Sequence, residues 1–124
     1  MNKSSYKGCA VDNRIPATVR KLVALLANQD YAEIARWTGG VRLPEYAIAD
    51  SIREYGTTLI LPPEPFYTGL IDVVEIEDSS PRSWSVVFPL WTKEEAESDL
   101  SGEITCRESG TDILEVELDN IHVL

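Results

Sequence analysis

The feature that most restricts the fold of this 124-residue chain is a change in hydrophobic period at Thr57. Up to Gly56 the apolar residues recur every three or four positions, as on one face of a helix. After Thr57 they recur every second position, as on one face of a strand. Helices first and hairpin-linked strands second predict an α+β domain, with the N-terminal helices packed on one face of a C-terminal antiparallel sheet. The expected division is an arm over 1–14 and a single domain over 15–124, with helices at about 16–56 and the sheet at about 57–122.

The helical half reads as three segments. Pro16 suits a first helical position, where its missing N–H is no loss. Val19, Leu22, Val23 and Leu26 form an apolar stripe, and Arg14, Arg20 and Lys21 fall outside it. Asn28 is placed to end this helix in a left-handed conformation. Asp30 and Glu33 have capping-box spacing and predict a second helix carrying Ile34 and Trp37, closed by Gly39 and Gly40. Pro44 opens a third, with Ile48, Ile52 and Tyr55 on its inner face and Gly56 at its C-terminal stop.

The second half alternates. Thr57 to Leu61 reads as a short strand, and Pro62, Pro63 and Pro65 force an extended loop after it. Leu70 to Glu77 is a strand, and 78–82 is a turn. In Ser83 to Trp91, Trp84, Val86, Phe88 and Leu90 take one side. Thr92 to Glu95 repeats the capping-box pattern and suggests a helical turn. Leu100 to Arg107 and Asp112 to Asp119 complete the strands, with Leu114, Val116 and Leu118 inward. By this alternation Glu75, Glu77, Glu103, Glu115, Glu117 and Asp119 point away from the helices.

Charge sharpens the picture. Residues 1–62 carry eight Lys/Arg and six Asp/Glu, whereas 63–124 carry three and fifteen, so the net charge of −10 lies wholly in the sheet half. A negative half repels phosphates and anionic membranes and attracts basic surfaces. Nucleic acid and membrane are therefore not expected partners. The longest apolar runs, such as Leu22 to Ala27, are too short to span a bilayer. No apolar run follows the polar, basic N-terminal residues, so no secretory signal is expected and the chain reads as cytoplasmic. Cys9 and Cys106 lack metal or framework spacing and read as free thiols.

No pattern of nucleophile and base appears, and the only histidine, His122, is the third residue from the end of the sequence. Neither a P-loop nor a nucleophile elbow is present. The pairs Glu94–Glu95, Glu97–Asp99 and Glu115–Glu117 could in principle run acid–base hydrolysis or hold a hard cation, but in so acidic a half they are foremost a solvated face. No enzyme activity, cofactor or metal is expected. Trp91 falls on the opposite parity to Trp84 and would anchor an interface, unless a kink at Pro89 turns it back into the core. Candidate contact residues are thus Trp91, Glu94, Glu95, Glu97, Asp99, Glu103, Glu115, Glu117 and Asp119.

Two stretches, Phe88-Pro-Leu-Trp-Thr-Lys-Glu-Glu-Ala-Glu-Ser-Asp-Leu100 and Asp119-Asn-Ile-His-Val-Leu124, resemble small bacterial immunity proteins of contact-dependent growth-inhibition and related toxin systems. The resemblance implies an inhibitor that occludes the active site of a basic toxin domain, a nuclease by the charge argument. The helix-then-sheet order is also similar to cystatin-like or NTF2-like cone folds. That likeness implies an alternative, a ligand pocket or modest enzymatic activity with Trp37, Tyr55, Phe66 and Tyr67 lining a cavity. Neither resemblance sets the oligomeric state.

Overall fold

The structure, a computed structural model, describes residues 12–123. Of the arm expected over 1–14, residues 1–11, with Cys9, lie outside the described residues, and Arg14 already belongs to the first helix. Helix α1 (Arg14–Ala27) buries Ile15, Val19, Leu22, Val23 and Leu26, the stripe that its spacing predicts. Its three cations lie off that stripe and find partners elsewhere. Arg14 binds Asp12 and Glu108, Arg20 binds Glu64, and the Lys21 ammonium stands 4.3 Å from the Trp37 ring centroid. The helix ends one residue later than expected in conformation. Asn28 stays at φ −87°, and Gln29 takes the left-handed turn at φ 60°.

Helix α2 (Tyr31–Thr38) lacks the predicted capping box: Asp30 makes no side-chain cap. Its backbone, at φ −92° and ψ 60°, does not carry the carboxylate over the first turn, and Glu33 pairs with Arg36 instead. Gly39 closes the helix at φ 81°, as a C-terminal glycine does. Helix α3 (Glu45–Tyr55) follows Pro44 and stops at Gly56, whose N–H donates to the Ile52 carbonyl. Ile48 and Ile52 are its buried residues.

Strand β1 (Leu59–Ile60) is followed by the segment expected as an extended loop, Pro62 to Pro65, which ends in a turn at Glu64 and Pro65 and leads into a one-turn helix, α4 (Phe66–Gly69), that was not expected. Pro65 sits at φ −59° and ψ −20°, already helical, and burial of Phe66 and Tyr67 holds the turn against the core. Strands β2 (Asp72–Glu75), β3 (Ser83–Thr92), β4 (Ala96–Arg107) and β5 (Glu115–Val123) complete an antiparallel open sheet. Its order is β1-β3-β4-β5, with β2 pairing β3 on the same side as β1. The fold is α+β as the sequence predicts. Helices α2 and α3 both approach β5, while α1 meets β1 and α4.

The core lies between the helices and one sheet face. Trp84, Val86, Phe88 and Leu90 from β3 meet Leu100, Ile104 and Cys106 from β4 and Val116, Leu118 and Ile121 from β5, all buried with the α1 stripe. Two register shifts interrupt the ladder, one between Pro89 and Trp91 and one between Glu103 and Ile104. Each inserts extra residues on one strand and changes which side chains share a row. The Thr92 to Glu95 capping pattern forms its first hydrogen bond, Glu95 N–H to Thr92 Oγ1 at 2.9 Å, but within the β3–β4 hairpin turn and not in a helix.

Candidate functional site, the outer face of the sheet

Rows of paired residues define the sheet face turned away from the helices. One row runs Asp72, Val87, Glu103, Asn120 across β2, β3, β4 and β5. The next runs Val74, Ser85, Thr105, Glu117, and on the other side lie Pro89, Ser101 and His122. Side chains alternate across a strand, so these residues share one face. The acidic face predicted from the alternation is therefore present at Glu103 and Glu117. Asp119 joins it as the extra residue of the β5 bulge, and its carboxylate accepts a 2.7 Å hydrogen bond from the Thr105 hydroxyl.

Glu75 does not belong to this face. It pairs with Trp84 and shares the side of buried Val73, at the edge of the sheet beyond the helices. There it binds Arg82 through two hydrogen bonds of 2.6 and 3.0 Å. Glu77 falls after the end of β2, in the turn, so it is not a strand residue either.

Several carboxylates have partners from distant parts of the chain. Glu117 lies 3.3 Å from Arg107 and 3.7 Å from Arg42, and Arg42 also stands 3.5 Å from Asp119 Oδ1. The Arg42–Asp119 contact is an ion pair without hydrogen-bond geometry, because Asp119 Oδ1 accepts no hydrogen bond. Glu103 lies 3.9 Å from His122 Nε2, which likewise makes no hydrogen bond. Glu94 and Glu95 are held by the helical layer. Glu94 accepts the Thr58 N–H at 3.0 Å, and that bond lowers its pKa below the ordinary carboxylate range. Glu95 accepts the Tyr55 hydroxyl at 2.8 Å, which raises the phenol's pKa. The same phenol accepts the Asp99 N–H at 3.3 Å. These two glutamates staple the β3–β4 hairpin to the end of α3.

Trp91 is half-buried. Its ring packs edge-on to Phe66 with centroids 5.7 Å apart and joins the margin of the core. The irregularity beside Pro89 accompanies this placement, the alternative that the proline signals in the sequence. Of the other candidate residues, Glu97, Asp99 and Glu115 are exposed and bind no cation among the described residues.

The four aromatics considered for a ligand cavity take different places in the described structure. Phe66 and Tyr67 are 1% and 6% exposed and fill the core. Trp37 lies under Lys21, and Tyr55 turns to the hairpin. Cys106 is buried, and desolvation pushes its thiol up to about 12, where it is neither nucleophile nor ligand at neutral pH. Among the described residues no three His, Cys, Asp or Glu side chains converge as a metal site. No helix of the described residues is long and apolar enough to cross a membrane.

No curated protein and no solved structure matches the chain. Residues 23–124, which include every strand and most of the helical layer, match the family described as a domain of unknown function, DUF7668, and the chain belongs to that family.

Proposed function

We propose that this protein is a binding protein of the immunity or antitoxin kind, which uses the outer face of its sheet to cap a basic protein domain. The partner in this reading is a toxin, a nuclease in particular, because an enzyme that holds phosphates presents the positive surface that such a face complements. The observation that carries the reading is a sheet with one face sealed by helices and the other open and rich in carboxylates. Complementary charge accelerates encounter and selects the partner, so inhibition needs only occlusion. A complex of this kind buries about 1,200–2,000 Å² in total.

The ion pairs decide which residues test it. Reversing Glu94, Glu95 or Glu117 would break contacts that hold the fold. Glu97, Asp99 and Glu115 bind no cation among the described residues, so their reversal changes the surface and leaves the described fold intact. The chain is co-expressed with the protein encoded beside it, and complex formation and neutralisation of that protein's activity are measured. Glu97→Lys, Asp99→Lys and Glu115→Lys together should abolish neutralisation. Reversal of Glu45 and Glu54 on exposed α3 should leave it unchanged. Equal loss from both sets, or from neither, rules out the outer face as the contact.

A further inference from the structure

Strand β5 is an edge of the sheet, and no described strand pairs with its other side. The direction of its backbone groups follows from two hydrogen bonds elsewhere. The Ile76 N–H donates to the Ser83 carbonyl, and the Glu108 N–H donates to the Arg82 carbonyl. Ser83, Ser85 and Val87 therefore turn their backbone groups to β2, and Trp84, Val86 and Phe88 turn theirs to β4. By the same alternation Glu103, Thr105 and Arg107 face β5, where Asn120, Glu117 and Glu115 answer them. Val116 and Ile121 are left with N–H and C=O groups aimed at the open edge, although their side chains are buried in the core. Those backbone groups have no hydrogen-bond partner among the described residues.

The two flanks of this edge differ in chemistry. On the outer face stand Glu115, Glu117 and Asp119. The helical side is apolar. Among the described residues the three most exposed large apolar side chains are Val41, Ile113 and Tyr46, at 74%, 72% and 71%. Val41 adjoins Arg42, which reaches Glu117 and Asp119 from the helical layer. Tyr46 lies in the first turn of α3, a helix that approaches β5, and Ile113 leads into β5 itself. An open edge is a template for a further strand. A second copy of this chain is a poor occupant. Two β5 edges side by side would gather the carboxylates of both on one face, in chains of net charge −10.

We propose that the open edge of β5 receives an extended strand of the basic partner protein, in which lysine or arginine alternates with apolar residues. This inference rests on the acidic-face reading above and adds to it the mode of contact. Side chains of an added strand point alternately to the two faces of the sheet. The basic set lies over the outer face against Glu115 and Glu117, and the apolar set lies toward Val41 and Tyr46. The backbone of the strand bonds to Val116 and Ile121. Main-chain bonds of this kind supply affinity, and the side-chain pattern supplies selection. The bulge at Asp119 and the carboxylates beside it keep strands of other composition away.

The probe is the peptide acetyl-Lys-Val-Lys-Val-Lys-Val-Lys-amide. One control carries proline in place of the central valine, and another carries glutamate in place of every lysine. Each is titrated at low salt into the isotopically labelled full chain, and amide chemical shifts and hydrogen exchange are followed. The basic peptide should shift the Val116 and Ile121 amides and slow their exchange at least fivefold, and both controls should bind at least fivefold more weakly. Glu115→Gln should weaken the basic peptide at least twofold, whereas Glu97→Gln, at the β3–β4 hairpin, should leave it unchanged. Unchanged melting temperatures verify that the variants fold. Protection of the same two amides that grows with protein concentration and needs no peptide would place a second copy on the edge and overturn the inference. Shifts confined to Glu97, Asp99 and their neighbours would overturn the edge and leave the acidic-face reading standing. Absence of any shift would also overturn the edge, and the charge-reversal experiment above then decides the acidic-face reading alone.

Discussion

Gly102→Ala places one methyl group where the core has no room. Gly102 pairs with Phe88 across β3 and β4, and a Cβ at this position would stand 2.7 Å from both Cε2 and Cζ of the Phe88 ring. The ring has little freedom to yield: Phe88 is fully buried, and Phe66 meets it edge-on with centroids 6.4 Å apart. Forcing an extra methyl into a filled core costs about 1–3 kcal/mol. Against this, alanine restricts the unfolded chain more than glycine does, which stabilises the fold by about 0.4–1 kcal/mol. Overpacking wins, and the net loss is about 1–2 kcal/mol. For a domain of this size that is a fall in Tm of roughly 5–10 °C. Thermal unfolding followed by tryptophan fluorescence reads it, since Trp84 is buried in the same sheet. Shortening the ring with Phe88→Leu should make the second substitution cheaper, a coupling that a double-mutant cycle isolates. A Tm within about 2 °C of the parent, or strict additivity with Phe88→Leu, would refute the argument that the missing side chain at 102 is what seats the ring.

Other predictions follow from the site. Glu94→Ala should lower Tm at neutral pH, and the gap to the parent should close as pH falls. The folded-state pKa of Glu94 is lowered by the Thr58 N–H, so its contribution is present above the unfolded value near 4.5 and lost as pH falls through the folded one; a gap that persists in acid contradicts this. In a Cys9→Ser background, Cys106 should resist a thiol reagent in the native protein and react at once in denaturant. Its folded pKa, near 12 against an ordinary 9, makes the neutral thiol the favoured form; that stabilising share holds below pH 9 and is lost as pH rises toward 12. Native reactivity at pH 8 would show that the site opens more easily than its burial implies.

What could be read from the sequence was local and periodic. The α1 stripe, the stop of α3 at Gly56 and the inward set of β3 depend on spacing alone, and the structure bears them out. What escaped was non-local or conformational. Three prolines read as extended chain, yet Pro65 adopts helical dihedrals that start α4 once Phe66 and Tyr67 are buried. Thr92 and Glu95 make the hydrogen bond that their spacing suggests, but in a hairpin, because the bond depends on local geometry and not on a helix following. Glu75 was assigned to the wrong face because, of the adjacent Val73 and Val74, it is Val73 that turns inward, and Glu75, paired with Trp84, shares its side.

The candidate site shows the same division. That carboxylates collect on one face was legible from strand parity. Which of them are neutralised was not, because Arg42 reaches Glu117 and Asp119 from the connection between α2 and α3, and Tyr55 reaches Glu95 from the end of α3. These pairings redirect attention from Glu94, Glu95 and Glu117, prominent in the sequence, to Glu97, Asp99 and Glu115. Asp72 was not among the candidates at all. Its only signal was its place two residues before exposed Val74, and its register with Val87 needed the folded sheet.

The most direct test of the proposed function is titration calorimetry of the chain with the protein encoded beside it, at about 50 mM and about 300 mM salt. The account predicts a 1:1 complex whose Kd rises at least tenfold with salt, since exposed charge pairs are screened as the Debye length shrinks. A complex that ignores salt, or no complex at the lower ionic strength, would contradict it.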